Sequence, residues 1–360
     1  MFEENLDRLE EQNEEASGGE FSPSPPEEKI TAAQYFGEMF EIPKKEREKR
    51  GVKRAALAAG ITFLVFTFLN IILNYGSFFL IKGIGKNVFD AYEVITEPAI
   101  QQIMQIVFSI MLFTVPFIVV YKLFRYRISD LLSFKMPEKG VKLPLFLFGI
   151  GFCAFANIAS SIAASIFERA GIEYSVDFGD NPEGFFGFLL CLISTSLVPA
   201  LVEEYACRGI LLGSLKKYGD GFAVIASAAL FGLMHGNFEQ IPFAFLVGLG
   251  LGYITVKSGS ILIAIGVHSF NNLISVIYDY ILADLSSLTK NLSYCVFLVV
   301  CMILGLAGLI LFTKREQKLE LSPSKTESSL KEKMKYFFTS VPIIIYIVLV
   351  LINSVQFFIF

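Results

Sequence analysis

Long apolar runs separated by short polar segments fill the chain from about residue 55 onward. Most runs reach about 18 residues, the length at which a helix crosses the roughly 30 Å apolar core of a bilayer. The runs predict nine membrane-spanning helices, at residues 55–81, 100–121, 143–167, 185–215, 220–236, 241–257, 260–281, 291–313 and 337–360. The pattern therefore predicts an all-α fold, a polytopic transmembrane helical bundle.

The polar segments between the runs differ in charge from one to the next. Seven basic residues in segment 44–54 precede the first run, and further lysines and arginines follow the second, fourth, sixth and eighth runs. The loops 169–184 and 282–290 hold one basic residue each. Because cytoplasmic loops of membrane proteins carry the excess of Lys and Arg, this alternation predicts a cytoplasmic N-terminus.

Composition narrows the class of protein. Hydrophobic residues make up 54% of the 360 residues and charged residues only 18%, which is too little charge for an ordinary soluble domain. We therefore expect an integral multi-pass protein in contact with the lipid bilayer, with no nucleic-acid partner. A bacterial plasma membrane is favoured over the endoplasmic reticulum.

The five cysteines all fall in apolar runs, and we interpret them as small apolar side chains rather than disulfides.

The first 43 residues are unlike the rest, with twelve acidic residues against two basic ones. A segment this polar cannot build a core, and its composition predicts disorder. Together with segment 44–54 it forms a predicted cytoplasmic tail. The other predicted divisions are N-terminal transmembrane helices at 55–167, core helices at 185–281, a helix at 291–313, a charged cytoplasmic linker at 314–336 and a C-terminal helix at 337–360.

The candidate chemistry begins in the stretch LVPALVEEYACRGILLGSL, where Glu203, Glu204 and Arg208 interrupt an apolar run. Ionised groups at membrane depth cost on the order of 3 kcal/mol or more each, so they face a partner or a water-filled cavity. Glu204 and Arg208 are four residues apart and can pair on one helix face. Glu203 points about 100° away and is free to act as a general base. Pro199 is expected to bend or restart this helix.

Both histidines of the chain lie in predicted spans after the two glutamates. His235 follows Phe231 by four residues and His268 precedes Asn272 by four, so each pair shares a helix face. Phe231 is interpreted as a packing residue, whereas Asn272 offers an uncharged donor to a carbonyl oxygen. At about 1.5 Å per residue, Glu203, both histidines and Asn272 lie about 14–22 Å from the predicted cytoplasmic ends of their spans. We therefore predict one buried polar cavity, reached from the cytoplasmic side or laterally.

Three motifs in this order resemble those of the type II CAAX-prenyl endopeptidase family, also called CPBP or Abi. They are EExxxR (Glu203, Glu204, Arg208), FxxxH (Phe231, His235) and HxxxN (His268, Asn272). The resemblance covers about residues 185–280 and implies an intramembrane endopeptidase with a catalytic core of four helices. Its substrate would be a membrane-associated peptide or a prenylated CAAX protein. One departure is Cys207, where the family commonly has an aromatic residue, and we expect it to affect packing or substrate fit.

The resemblance also implies a role for each residue. Glu203 would activate the hydrolytic water with help from His235. Glu204 and Arg208 would shape the site, and His268 and Asn272 would bind the developing oxyanion.

Metal dependence is left with two alternatives. One glutamate with two histidines, here Glu203, His235 and His268, is a credible zinc set, and the family is often classed with metalloproteases. The HExxH helix of zincins is absent from the sequence. A glutamate-activated water with a neutral oxyanion hole requires no cofactor, and we favour that mechanism.

Two functions of other classes compete with the protease. A non-catalytic bacteriocin-immunity or scaffold protein would tolerate loss of a motif residue, but every motif residue is present. A proton-coupled transporter could use the glutamates as an ion pathway. Many transporters contain two related halves, and here the polar residues cluster in spans four to seven alone.

Overall fold

The computed structural model describes residues 42–83, 94–169, 173–174, 180–280, 282, 285–315, 319–321, 326–355 and 358–359. The helices are α1 Lys44–Gly83, α2 Pro98–Leu123, α3 Ile128–Leu131, α4 Lys139–Arg169, α5 Gly184–Tyr218, α6 Asp220–Leu233, α7 Gln240–Ser258, α8 Leu262–Tyr280, α9 Ser287–Thr313, α10 Leu330–Phe338 and α11 Val341–Val355. Two-residue strands, β1 Glu173–Tyr174 and β2 Phe358–Ile359, pair antiparallel. The predicted disorder of residues 1–41 lies outside the described residues.

The predicted polytopic helical bundle is confirmed, but the number of spans differs from nine. Among the described residues seven helices are long and apolar enough to cross a membrane, or eight if α10 and α11 form one bent span. The predicted span 220–236 is the 14-residue helix α6, which ends at Leu233. The predicted span 337–360 is divided, since α10 and α11 meet at 73°. The first turns of α10 also fall within the predicted linker 314–336.

Hydrogen bonds between chain segments show which helix ends lie together. Arg54 near the start of α1 donates to the carbonyl of Phe124 after α2 (2.7 Å). Lys333 of α10 donates to the carbonyl of Tyr218 at the end of α5 (2.7 Å). These helix ends, with the α7–α8 turn that bonds to Ser133 (2.5 Å), define one face of the bundle. It is called the basic face below, because most lysines and arginines lie in its segments.

The other helix ends form the opposite face. Gln102 near the start of α2 accepts a hydrogen bond from Ser194 in the first turns of α5. Tyr280 at the end of α8 donates to the carbonyl of Pro182, just before α5. Apart from the four-residue α3, successive helices from α1 to α9 therefore run in alternating directions, with the short α6 running away from the basic face between α5 and α7.

The interior of the bundle is packed in two ways. Around α1, aromatic rings interlock: Phe63 meets Phe117 of α2 edge-on at 5.6 Å and Tyr346 of α11 at 5.0 Å. Between α4 and α9, small residues let the backbones touch. A Cβ atom built on Gly151 would lie 2.5 Å from the Cα atom of Gly305. Small residues at such crossings are typical of membrane helices, where close backbone contact replaces the hydrophobic effect.

Substitution of Gly151 with Ala tests this contact. Overpacking costs about 1–3 kcal/mol, so we expect the variant to unfold at a lower temperature in detergent than the unsubstituted chain. The matched control is Gly76→Ala, because a Cβ atom there meets only Ile72, at 3.9 Å. The control is expected to keep or raise the unfolding temperature, since Ala favours a helix over Gly by about 1 kcal/mol. Equal unfolding temperatures for the two variants would contradict the close packing of α4 and α9.

Candidate active site

Helix α5 carries the glutamates and is wound irregularly. Its segments Leu192–Leu197 and Tyr205–Leu212 are π-helical, and the two glutamates end the α-helical segment between them, Val198–Glu204. Such π turns are rare and occur frequently at functional sites. Pro199, which lacks an N–H group, lies at the start of that α-helical segment. At Pro199 the winding changes from π-helical to α-helical within one continuous helix, so the predicted restart is a change of winding and not a break.

Glu204 and Arg208 form a buried ion pair, as their spacing predicts. The carboxylate is inaccessible to solvent, the guanidinium side chain is 1% exposed, and the Oε1 to Nη1 distance is 2.9 Å. Arg208 also donates to the carbonyl of Gly248 on α7 (3.4 Å). Its guanidinium carbon lies 4.0 Å from the ring centre of Phe231 on α6, within cation–π range. Phe231 therefore packs against the guanidinium of Arg208.

His268 of α8 connects the two glutamates. Its Nδ1 atom lies 2.8 Å from Oε1 of Glu204, and its Nε2 atom lies 3.9 Å from Oε2 of Glu203. A carboxylate can only accept a hydrogen bond, so Nδ1–H donates to Glu204 and fixes the orientation of the ring. Nε2 is thereby turned toward Glu203. The side chain of Glu203 is 14% exposed, whereas that of Glu204 is fully buried.

His235 lies in the turn after α6 and not inside a span as predicted. Gly236, with a φ angle of 71°, ends the helix because the left-handed conformation at this position is readily adopted only by Gly. The Nδ1 atom of His235 lies 2.9 Å from the carbonyl of Phe231. A carbonyl accepts and cannot donate, so Nδ1–H is the donor and the lone pair of a neutral imidazole lies on Nε2.

Asn272 is held by the irregular part of α5. In a regular α-helix the Thr195 carbonyl would accept from the N–H of residue 199, but that residue is Pro. The Thr195 carbonyl accepts from Nδ2 of Asn272 instead (3.1 Å). An amide nitrogen carries two hydrogens, so the second N–H of Asn272 is left to serve a ligand. The neighbouring Asn271 donates to Oδ1 of Asn272 (3.3 Å) and fixes the amide orientation.

These side chains surround one cavity of about 1020 Å³. Its wall includes Glu203, His235, His268 and Asn272. The structure thus brings together the four residues that were predicted to meet in a polar cavity. The ion pair of Glu204 and Arg208 lies behind this wall in the packed interior. Cys207 is also fully buried, in the core, and is not among the residues that line the cavity, so its expected effect falls on packing rather than on substrate fit.

Further polar residues line the cavity that the motifs did not reveal. Asn157 of α4 donates to Asn271 of α8 (3.4 Å) and accepts from Tyr294 of α9 (3.0 Å), so three helices are joined by side chains in its wall. Gln102, which accepts from Ser194, lies on the other side of the cavity. The sequence does contain polar residues within its apolar runs, such as Ser194–Ser196, and these could have indicated further residues of the cavity wall. Isolated asparagines of this kind carry no motif spacing.

The alternative zinc site fits this arrangement poorly. Among the residues that the structure describes, no group of three or more His, Cys, Asp and Glu side chains is arranged to hold a metal ion. Glu203, His235 and His268 are thus not arranged as one set of metal ligands, and no step is assigned to a metal below.

Comparison with known proteins identifies one family. Residues 185–274 match the family described as Type II CAAX prenyl endopeptidase Rce1-like. The matched segment begins with α5 and contains all six predicted site residues, from Glu203 to Asn272. No curated protein and no solved structure matches the chain.

The buried ion pair yields a prediction about stability. Removal of one member of a buried pair costs about 3–5 kcal/mol because the other charge is left unpaired. We therefore expect Arg208→Met to lower the unfolding temperature strongly in detergent. The double variant Glu204→Gln/Arg208→Met removes both charges and should recover much of the loss, because Gln can still accept from His268. If the double variant unfolds at or below the temperature of the single variant, the ion pair does not have this role.

Proposed function

Since residues 185–274 match the family described as Type II CAAX prenyl endopeptidase Rce1-like, we propose that the chain hydrolyses a peptide bond near the C-terminus of a membrane-associated protein by means of a water activated by Glu203. The family supports a CAAX-type intramembrane protease in general, and a prenylated CAAX protein is one candidate substrate. The main support for this proposal is the position of Glu203. The partly exposed Glu203 shares a cavity with both histidines and Asn272.

The division of labour between the glutamates supports Glu203 as the base. Glu204 already accepts from Arg208 and from His268, and it has no solvent exposure. Glu203 accepts no hydrogen bond at normal distance from the described residues, and it faces the cavity. A general base must reach the proton that it abstracts, directly or through one water. Of the two carboxylates, only Glu203 is in a position to meet a water in the cavity.

The first step is attack of water on the peptide carbonyl. Glu203 accepts a proton from the water, and the water oxygen forms a bond to the carbonyl carbon. His235 assists by accepting the second water hydrogen at Nε2, because its Nδ1–H is committed to the Phe231 carbonyl. These two acceptors orient a lone pair of the water toward the substrate. Orientation of this kind contributes to rate by lowering the entropic part of the barrier.

The carbonyl oxygen becomes negatively charged in this step and requires donors. Asn272 supplies the N–H that is not bonded to Thr195. His268 supplies a second donor from Nε2 when its imidazole carries a proton on both nitrogens, since Nδ1–H is given to Glu204. Both side chains are anchored by fixed partners. Donors that are already oriented stabilise an oxyanion without reorganisation during the reaction.

The second step breaks the C–N bond. The tetrahedral intermediate collapses, the carbonyl re-forms, and the electron pair of the bond passes to the leaving nitrogen. Glu203 returns its proton to that nitrogen. The products are a carboxylic acid and an amine, and the enzyme ends in the protonation state in which it began.

Substitution of Glu203 with Gln tests the proposed base. Gln has the same size but cannot take a proton, and loss of a general base costs about 10²–10⁴-fold in rate. We expect hydrolysis of a quenched fluorescent prenylated CAAX peptide by detergent-purified protein to fall at least about 100-fold. The unfolding temperature should stay close to that of the unsubstituted chain.

The matched control for this experiment is Glu138→Gln, an exposed glutamate in the segment before α4, which should keep full activity. A metal chelator is expected to leave the rate of the unsubstituted chain unchanged. An active Glu203→Gln variant would overturn the assignment of the base. Inhibition by chelator with rescue by zinc would favour the metal mechanism.

The oxyanion assignment gives a separate kinetic prediction. Removal of one oxyanion donor lowers kcat by about 10²–10³-fold. Asn272→Leu removes the donor at similar volume, so we expect kcat to fall by that order with KM changed only slightly. Steady-state kinetics on the same peptide measure both constants. A rise in KM with unchanged kcat would instead place Asn272 in substrate binding.

A further inference from the structure

The cavity occupies only one half of the bundle. On each helix that lines the cavity, one lining residue lies nearest the basic face. It is Glu203 on α5, Val267 on α8, Ile150 on α4 and Cys301 on α9. In each of these four helices, the cavity-lining residues lie between the middle of the helix and its end at the opposite face. This holds both for helices that start at the basic face and for helices that end there.

The two ends of the cavity differ in character. At the opposite face its wall reaches Asp279 at the end of α8 and Asn291 in the first turn of α9, and both residues are exposed. Toward the basic face the interior is filled by apolar side chains that are at most 2% exposed, among them Leu212, Ile254 and Ala264. The cavity is thus open at the opposite face and closed by packed side chains toward the basic face. The sequence predicted a cavity reached from the cytoplasmic side or laterally, and the charge of the loops bears on which face is cytoplasmic.

The distribution of lysines and arginines indicates which face of the bundle is cytoplasmic. Among the described residues, 21 lysines and arginines lie in the segments of the basic face, within 44–54, 122–142, 216–217, 257 and 314–335. Only three described ones, Lys82, Arg169 and Lys290, lie at or beside the helix ends of the opposite face. Short loops with an excess of Lys and Arg stay in the cytoplasm. We infer that the cavity of the candidate active site opens to the extracytoplasmic side of the membrane.

The residues of the cavity wall also indicate the chemical class of the substrate. Amide side chains recur along the cavity from the mouth inward: Asn291, Asn181, Gln102, Gln105, Asn157, Asn271 and Asn272. An amide offers both a donor and an acceptor, which matches the alternating N–H and C=O groups of an extended peptide. The rest of the wall includes apolar side chains such as Phe243, Val247 and Leu298. At the mouth, Asp279 and Lys290 offer one charge of each sign.

The substrate class follows from these features together. Resting on the proposed function, the inference is that the enzyme cleaves polypeptide segments presented at the extracytoplasmic surface, such as the flank of a membrane span or a translocated peptide. A CAAX tail that stays in the cytoplasm would have to cross the membrane to reach Glu203. The inference therefore narrows the proposed substrates to translocated ones.

The sidedness is tested by cysteine labelling in intact cells that express the full chain. Asn291→Cys and Lys314→Cys place a thiol at the two ends of α9, at exposed positions on the opposite and basic faces. Each is compared with the unsubstituted chain, whose five cysteines set the background. A membrane-impermeant maleimide is expected to label Asn291→Cys in intact cells and Lys314→Cys only after permeabilisation. The reverse pattern would overturn the inference.

A second experiment tests the side from which substrate enters. Right-side-out and inverted membrane vesicles are given a membrane-impermeant quenched peptide, with Glu203→Gln vesicles as the inactive control. Right-side-out vesicles should cleave it without detergent, and inverted vesicles only after detergent is added. Cleavage by intact inverted vesicles alone would overturn the inference and leave the proposed function standing. Absence of cleavage in detergent would overturn the proposed function, while the labelling would still decide which face bears the cavity mouth.

Discussion

The ion pair of Glu204 and Arg208 is the interaction on which the candidate site depends. Two charges in an apolar interior are tolerated when they pair and make further hydrogen bonds. Both partners of Glu204 donate to Oε1, and Oε2 has no hydrogen-bond partner among the described residues. Here α5 supplies both charges, α7 accepts from the guanidinium through Gly248, α6 stacks Phe231 on it, and α8 donates to the carboxylate through His268. One neutralised pair therefore ties four helices together. These are the helices of the predicted core.

The pair also determines what the neighbouring groups can do. Because Glu204 takes Nδ1–H of His268, the other ring nitrogen faces Glu203. Backbone carbonyls act in the same way on the remaining groups, since Phe231 fixes His235 and Thr195 fixes Asn272. The two histidines and Asn272 are thus each held by a fixed partner, which leaves one ring nitrogen or one amide hydrogen free to face a ligand. Anchoring of this kind is how a site remains oriented before substrate binds.

Hydrophobic length and motif spacing predicted most of this arrangement. The bundle, the pairing of Glu204 with Arg208 and the shared cavity followed from the span lengths and from helical periodicity. The short α6 and the 73° bend before α11 did not, because an apolar run does not reveal where Gly236 ends a helix or where two helices meet at an angle. The partner of Asn272 was also hidden. That partner is the Thr195 carbonyl, seventy-seven residues before Asn272 along the chain, and Pro199 has no N–H to donate to it. The direction in which the cavity opens required knowing how far each helix lines it.

We propose that the two adjacent glutamates have different roles: Glu204 stabilises the fold, and Glu203 acts in hydrolysis. The most direct measurement compares Glu203→Gln with Glu204→Gln in the same detergent, recording for each the unfolding temperature and the hydrolysis rate per folded molecule. We expect Glu203→Gln to keep its unfolding temperature and lose hydrolysis, and Glu204→Gln to lose stability and keep a larger share of its rate. The opposite result, a stable but inactive Glu204→Gln beside an active Glu203→Gln, would contradict it.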